Sequence, residues 1–97
     1  IVPVIFRTFN DDRDVVAIFP TIPGDYRPRS CMSYMHVGQH SPCGPDSLAT
    51  VTRPATAEES APLRRELESI GYRLRVVKRQ APQHRRQRLA VLRSLGI

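Results

Sequence analysis

The densest group of side chains that could do chemistry lies in the ten residues from Tyr34 to Cys43. His36, His40 and Cys43 offer the nitrogen and sulfur atoms that zinc prefers, and Cys31 could supply a fourth ligand. Their spacing matches no standard zinc finger, and the chain has no CxxC or HExxH motif. We therefore assign no metal and no other cofactor to this segment.

The same segment could support nucleophilic or acid–base catalysis. Ser41 or Cys43 beside His40 would form a pair of nucleophile and base, and histidine titrates near neutral pH. The surrounding residues do not form a nucleophile elbow. A small enzyme or metal-binding protein centred on His36 and His40 is therefore an alternative, and we expect a protein that is not an enzyme.

Recognition of a ligand is a third possibility for this segment. Tyr34 and His36 would share one face of a strand, with Gln39 and His40 just beyond it. Aromatic rings and amides of this kind stack on bases and form hydrogen bonds with them. Alternatively, Tyr34 packs beneath a helix. The four residues are the candidate polar site.

Positive charge is concentrated in the C-terminal part of the chain. Residues 1–60 carry five arginines and seven acidic residues, whereas residues 61–97 carry ten basic and two acidic residues. Such an asymmetry favours an acidic partner, either nucleic acid or an acidic protein, although a solvated charged face has the same pattern. The candidate phosphate-contacting residues are Arg73, Arg75, Lys78, Arg79, Arg85, Arg86 and Arg88.

The size and composition limit the class of protein. A chain of 97 residues forms one small domain with a modest core. No apolar run is long enough to span a bilayer, and no signal peptide is visible, so we expect a cytoplasmic protein that does not bind membranes. Cys31 and Cys43 are expected to be reduced there, although a disulfide is possible if their Cα atoms lie within about 7 Å.

The N-terminal half has the pattern of a β-sheet. Apolar runs are separated by polar or proline- and glycine-rich segments, and the turn at residues 10–14 joins the first two runs into a hairpin. We predict loops at residues 20–30 and 38–46. The predicted strands are Val2–Phe9, Val15–Phe19, Cys31–Val37 and a short edge strand at Leu48–Thr52.

A helix, a strand and a second helix are predicted to follow. Thr56 and Glu59 fit a capping box that opens a helix at residues 57–70, although Pro62 also allows a later start at Ser60. Alternating residues predict a strand at Tyr72–Lys78 with one basic face. A basic helix is predicted from Pro82 to about Leu95, and it could pack back, project or pair with a second chain through Leu89 and Leu92.

Together these elements predict an α+β fold. Its centre is an antiparallel sheet of four to five strands with one helix packed on a face, in the order ββββ-α-β. We expect residues 1–79 to form a single domain and residues 80–97 to be a basic helical extension.

Four segments of the chain are familiar in combination. They are Ala17–Pro23, Ser33–His40, Thr52–Glu59 and Glu66–Tyr72. In this order they resemble a family of small bacterial proteins with no established activity, some of them encoded on plasmids. The resemblance implies a bacterial origin, assigns no site residues and covers residues 2–79, so that the basic tail lies outside it.

The sequence favours a non-enzymatic binding or accessory protein whose basic surface contacts nucleic acid. The candidate polar site would add specificity. A protein-interaction module that forms a homodimer through the last helix is a further alternative.

Overall fold

A computed structural model describes residues 1–36 and 38–96, and these residues form six strands and three helices. The strands are β1 (Val2–Phe9), β2 (Val15–Pro23), β3 (Cys31–Met35), β4 (Gln39–Cys43), β5 (Thr52–Pro54) and β6 (Leu74–Val76). The helices are α1 (Pro45–Val51), α2 (Ala57–Ser69) and α3 (Pro82–Ser94). The predicted α+β class is confirmed, but the sheet has more strands than predicted.

All six strands belong to one sheet in which β4, β3, β2, β1 and β5 are neighbours in that order. These neighbours pair in antiparallel fashion, whereas β6 runs parallel to β1. β5 pairs with residues 7–9 of β1, and β6 pairs with residues 2–4. β1 therefore joins the first hairpin to the segments that flank α2.

The β1–β2 hairpin has the predicted turn. The N–H of Phe9 donates to the carbonyl of Asp14 at 2.8 Å, and the Asp12 carboxylate accepts from the N–H of Asp14 at 3.0 Å. β2 continues to Pro23 instead of ending at Phe19 as predicted. Its pairing with β3 is irregular after Phe19, so the prolines shift the register without ending the strand.

The β3–β4 hairpin was not predicted, because its second strand contains residues typical of loops. β4 pairs with all of β3, from Met35 opposite Gln39 to Cys31 opposite Cys43. Pro42 is compatible with β4 because this strand lies at the edge of the sheet, where no partner needs its missing N–H. β3 ends at Met35, so His36 lies beyond the strand, and the part of the predicted strand at Val37 lies outside the described residues.

The predicted strand at Leu48–Thr52 is wrong. Residues 45–51 form α1, and only Thr52 continues into β5. Pro45 occupies the first turn of α1, where its fixed φ is favourable and its missing N–H has no helical partner. The β-branched residues near the end of this segment favoured a strand, but the proline before them starts a helix.

The capping box at the start of α2 is confirmed. Thr56 Oγ1 accepts from the N–H of Glu59 at 3.1 Å, and Glu59 Oε1 accepts from the N–H of Thr56 at 2.9 Å. The alternative start at Ser60 is wrong, since the N–H of Ser60 already donates to the carbonyl of Thr56 at 3.0 Å. Pro62 therefore lies inside the helix.

The sheet is apolar on both faces, and a helix covers each. On one side, called the α2 face, Phe19 and Tyr34 pack with Leu63 and Leu67 of α2. The other side, called the α3 face, carries Ile5, Ile18 and Cys31. The prediction of a helix on one face alone is therefore incomplete, because buried strands with two apolar faces need cover on both.

α3 packs back on the sheet beside β2. Arg88 is 0% exposed, and its Nη1 donates to the carbonyl of Pro20 at 2.8 Å and to Cys31 Sγ at 3.0 Å. Leu92, one turn later, is also buried. Of the three placements left open by the sequence, the helix adopts the packed one, and Leu92 is not available on the surface for a dimer contact.

None of the helices formed by residues 1–36 and 38–96 has both the length and the apolar character required to cross a membrane.

Candidate functional site

The polar segment of the β3–β4 hairpin is tied to α2 through Glu66. Tyr34 Oη donates to Glu66 Oε2 at 2.6 Å, and His36 Nδ1 lies 2.6 Å from Glu66 Oε1. The carboxylate thus bridges a buried phenol and a histidine whose side chain is 91% exposed. Because Glu66 is on a different element, 30 residues from His36, nothing in the local spacing pointed to it.

His40 makes a second link, to the segment after α2. Its Nε2 lies 2.8 Å from Tyr72 Oη, and its ring is 4.7 Å from that of Tyr34. Tyr72 in turn stacks on Phe19, with ring centroids 5.0 Å apart. We call Tyr34, His36, His40, Glu66 and Tyr72 the Tyr–His–Glu cluster.

The structure brings three of the four residues of the candidate polar site into this cluster. Gln39 is separated from them, because it lies opposite Met35, whose side chain packs on the α3 face. Tyr34 is only 5% exposed and packs beneath α2, which is the alternative that the sequence left open. A ligand cannot stack on Tyr34 in this arrangement, so the role predicted for it in base recognition is not compatible with its burial.

Hydrogen bonding and burial shift the pKa values of Glu66, Tyr34 and Tyr72 in the cluster. The bonds from Tyr34 and then His36 lower the pKa of Glu66 below its usual value. The same bond to Glu66, followed by burial, raises the pKa of Tyr34, and burial raises that of Tyr72. Glu66 is therefore an anion at neutral pH and both phenols are neutral, so the cluster holds the hairpin against α2.

The residues considered as metal ligands do not converge. Among the described residues, no group of three His, Cys, Asp or Glu side chains is arranged to hold an ion. His36 and His40 have different partners, and Cys31 and Cys43 lie on the α3 face of the sheet while Tyr34 and His40 lie on the other.

Most of the predicted basic residues lie around two adjoining clefts on the α3 side of the sheet. The first, of about 250 Å³, is lined by Arg7, Lys78 and Arg79 together with the acidic Asp46. The second, of about 310 Å³, is lined by Arg85 and Arg86. Gln80 lines both. We call Arg7, Lys78, Arg79, Arg85 and Arg86 with Gln80 the basic groove.

Arg75 lies on β6 and Arg73 directly precedes this strand, and neither is among the residues that line the two clefts. Both are exposed, and they alternate with Leu74, which packs against the core of the α2 face. The strand is shorter than the predicted Tyr72–Lys78, because only residues 74–76 pair with β1. Of the two arginines of the predicted basic face, only Arg75 lies within the paired strand.

Arg88 does not belong to the basic surface, and its assignment as a phosphate contact is wrong. Its side chain is fully buried, and its guanidinium is occupied by the carbonyls of Pro20 and Pro28, the Gln80 amide and Cys31. The helical spacing indicates the reason, because Arg88 lies four residues before Leu92 and therefore shares its buried face.

Nothing in the sequence pattern indicates that Arg7 belongs to the basic surface. It belongs to the first strand, far from the basic C-terminal part, and only the pairing of β1 with β5 and β6 brings it near Lys78 and Arg79. Its Nε and Nη2 donate to Thr52 at 3.0 and 2.9 Å. These two bonds do not use the N–H groups of Nη1, which can donate to a ligand.

Comparisons with protein-family models, curated proteins and solved structures give no match to this chain. The resemblance of four segments to a family of small bacterial proteins therefore stays a prediction.

Proposed function

We propose that this protein binds nucleic acid through the basic groove, with the phosphate backbone as the group recognised. The observation that carries the proposal is the convergence of Arg7, Lys78, Arg79, Arg85 and Arg86 on two clefts joined at Gln80. These residues come from β1, from the segment after β6 and from α3. The fold therefore brings together positive charges that are far apart in the sequence.

The charge of the groove is available to a ligand. The ion pairs found among the described residues involve Arg27, Arg53, Arg64 and His36, and none involves a residue of the groove. Uncompensated positive charge around a concave surface raises the local concentration of anions. A guanidinium fork also matches two phosphate oxygens at once, which favours phosphate over a diffuse negative surface.

Asp46 allows a test in which one variant should strengthen binding and another should weaken it. It is the acidic residue among those that line the groove, and it repels a phosphate. Asp46→Asn should therefore strengthen binding, whereas Lys78→Gln with Arg79→Gln should weaken it. A general loss of folding would move both variants in the same direction.

The experiment measures fluorescence anisotropy of labelled single- and double-stranded DNA and RNA over a series of salt concentrations. We expect the Lys78/Arg79 variant to bind about tenfold more weakly at low salt and to reduce the slope of log K against log salt by about 2. Arg64→Gln with Arg65→Gln is the matched control, because it removes the same charge from the exposed side of α2.

Three outcomes would contradict the proposal. One is the absence of binding at low salt, and another is an equal loss of affinity in the α2 control. The third is binding of polyglutamate as tight as that of nucleic acid at the same salt, which would indicate an acidic protein as the partner.

A further inference from the structure

Cys31 and Cys43 are directly opposite each other in the β3–β4 pair. Residues opposite each other in antiparallel strands have Cα atoms about 4.5–5.5 Å apart and point to the same face. A disulfide requires a Cα separation of about 4.4–6.8 Å. The two thiols are free in this structure, and both lie on the α3 face.

The two sulfurs differ in access. Cys31 is 0% exposed, whereas Cys43 is only partly buried and lines a cleft of about 310 Å³. Arg27 and Arg29 line the same cleft. An oxidant from solution therefore reaches Cys43 first. An anionic oxidant is attracted by Arg29, since Arg27 is already paired with Asp25.

We propose that Cys31 and Cys43 form a reversible thiol–disulfide site that is oxidised by a small anionic disulfide of the glutathione type. Cys43 is the entry thiol and Cys31 is the resolving thiol. This site is independent of the nucleic-acid function proposed above, and it lies on other residues.

The reaction has two exchange steps. The Cys43 thiolate attacks one sulfur of the oxidised tripeptide, forms a mixed disulfide and releases one reduced tripeptide. The Cys31 thiolate then attacks Cys43 Sγ, which closes the protein disulfide and releases the second. The two protein thiols lose two electrons and two protons, and the small disulfide gains them.

Arg88 is placed to assist the second step as a positioning residue. Its Nη1 donates to Cys31 Sγ at 3.0 Å, and its positive charge favours the thiolate that must attack Cys43. Among the described residues no carboxylate accepts a hydrogen bond from Arg88, and its other acceptors are two backbone carbonyls and the amide oxygen of Gln80. The transient thiolate is thus the anion that the buried guanidinium lacks.

The site favours slow oxidation. Burial, followed by the neighbouring Cys31, raises the pKa of Cys43 to about 11, and burial also raises that of Cys31 although Arg88 opposes it. Closing the bond requires the Cβ atoms to approach from about 4.5–5.5 Å to about 3.5–4.5 Å.

The test treats the full chain with oxidised glutathione at pH 8 and follows intact mass and free thiols. We expect the wild type to lose two thiols without gaining mass from glutathione, and dithiothreitol to restore both. Cys31→Ser should stop at one glutathione adduct on Cys43. Cys43→Ser should react at least tenfold more slowly, because the remaining thiol is buried.

Cystamine is the matched oxidant of opposite charge. Arg29→Gln should slow the reaction with glutathione and not slow that with cystamine. Peptide mapping of the oxidised wild type locates the bond without any variant, so the proposal can be tested even if a serine variant does not fold.

Some results would overturn the proposal. They are a wild-type protein that accumulates the adduct without closing the bond, a mapped disulfide between two chains, and equal reactivity of the two serine variants. Loss of nucleic-acid binding in the earlier experiment would leave this site unaffected.

Discussion

Arg88 is a basic residue that the sequence places on the surface and the structure buries. Its type and position suggested a surface contact, but its guanidinium lies inside the protein with four acceptors from three separate segments. A buried cation is costly unless its donors are satisfied. The four acceptors bind its Nη1 and Nη2 groups, whereas its Nε has no hydrogen-bond partner among the described residues.

Replacement of Arg88 tests its role in docking α3. We expect Arg88→Ala to lower the free energy of unfolding by about 3 kcal/mol, because it creates a cavity and leaves buried acceptors unpaired. Urea denaturation measures the change. Arg86→Ala removes the same side chain from the exposed side of α3 and should change stability by less than about 0.5 kcal/mol. Equal effects of the two variants would refute the assigned role.

Glu66 makes part of the stability dependent on acid pH. Its folded pKa is lowered by Tyr34 and His36, so its contribution is present above the pKa of the unfolded chain, near 4.5, and is lost as the pH falls through the folded value. Glu66→Gln should lower Tm at pH 7, and the difference from wild type should shrink toward pH 3.

Thermal unfolding monitored by circular dichroism at several pH values provides this comparison. The difference between the two proteins is the useful quantity, because Glu59 also has a lowered pKa, of about 2, and is present in both. A difference that does not change between pH 7 and pH 3 would show that Glu66 acts only through packing.

Among the elements, α2 is the one whose start follows most directly from local chemistry. Thr56 and Glu59 satisfy each other's backbone N–H groups whatever the rest of the chain does. The position of β4, in contrast, depends on tertiary contacts and not on local sequence. Its residues favour a loop, and its conformation comes from the backbone bonds of β3.

Removal of the α2 cap should have a moderate effect. Thr56→Ala leaves the N–H of Glu59 without its acceptor, so we expect a loss of about 1 kcal/mol in the free energy of unfolding. Thr56→Ser keeps the hydroxyl and should stay within about 0.5 kcal/mol of wild type. If the serine variant loses as much as the alanine variant in urea denaturation, the threonine methyl group and not the cap stabilises this end.

In the whole molecule, the basic residues of the C-terminal part lie mainly on the α3 side of the sheet. The net charge is +6, and the C-terminal basic residues meet Arg7 around the basic groove. On the other side, two acidic residues of α2 are paired with arginines, Glu59 with Arg53 and Glu68 with Arg64. The two sides of the sheet therefore offer different electrostatic surfaces.

The division of the chain into residues 1–79 and a helical extension can be tested by truncation. We expect a chain ending at Arg79 to unfold at a clearly lower temperature or to lose cooperative unfolding, because the α3 face of β2 would be exposed. Circular dichroism and amide hydrogen exchange measure this. A truncated chain with the thermal stability of the full chain would show that α3 is separable.

The sequence by itself determined the features that depend on neighbouring residues. These are the α+β class, the first hairpin, the capped start of α2 and the excess of C-terminal charge, since short-range periodicity, turns and caps act over a few positions. Tertiary structure decided which polar groups meet. Glu66 joins Tyr34 and His36 across 30 residues or more, Arg7 joins the basic groove, and Arg88 turns inward to Cys31. These contacts depend on sheet order and helix docking, which follow from the burial of both sheet faces and not from any local pattern.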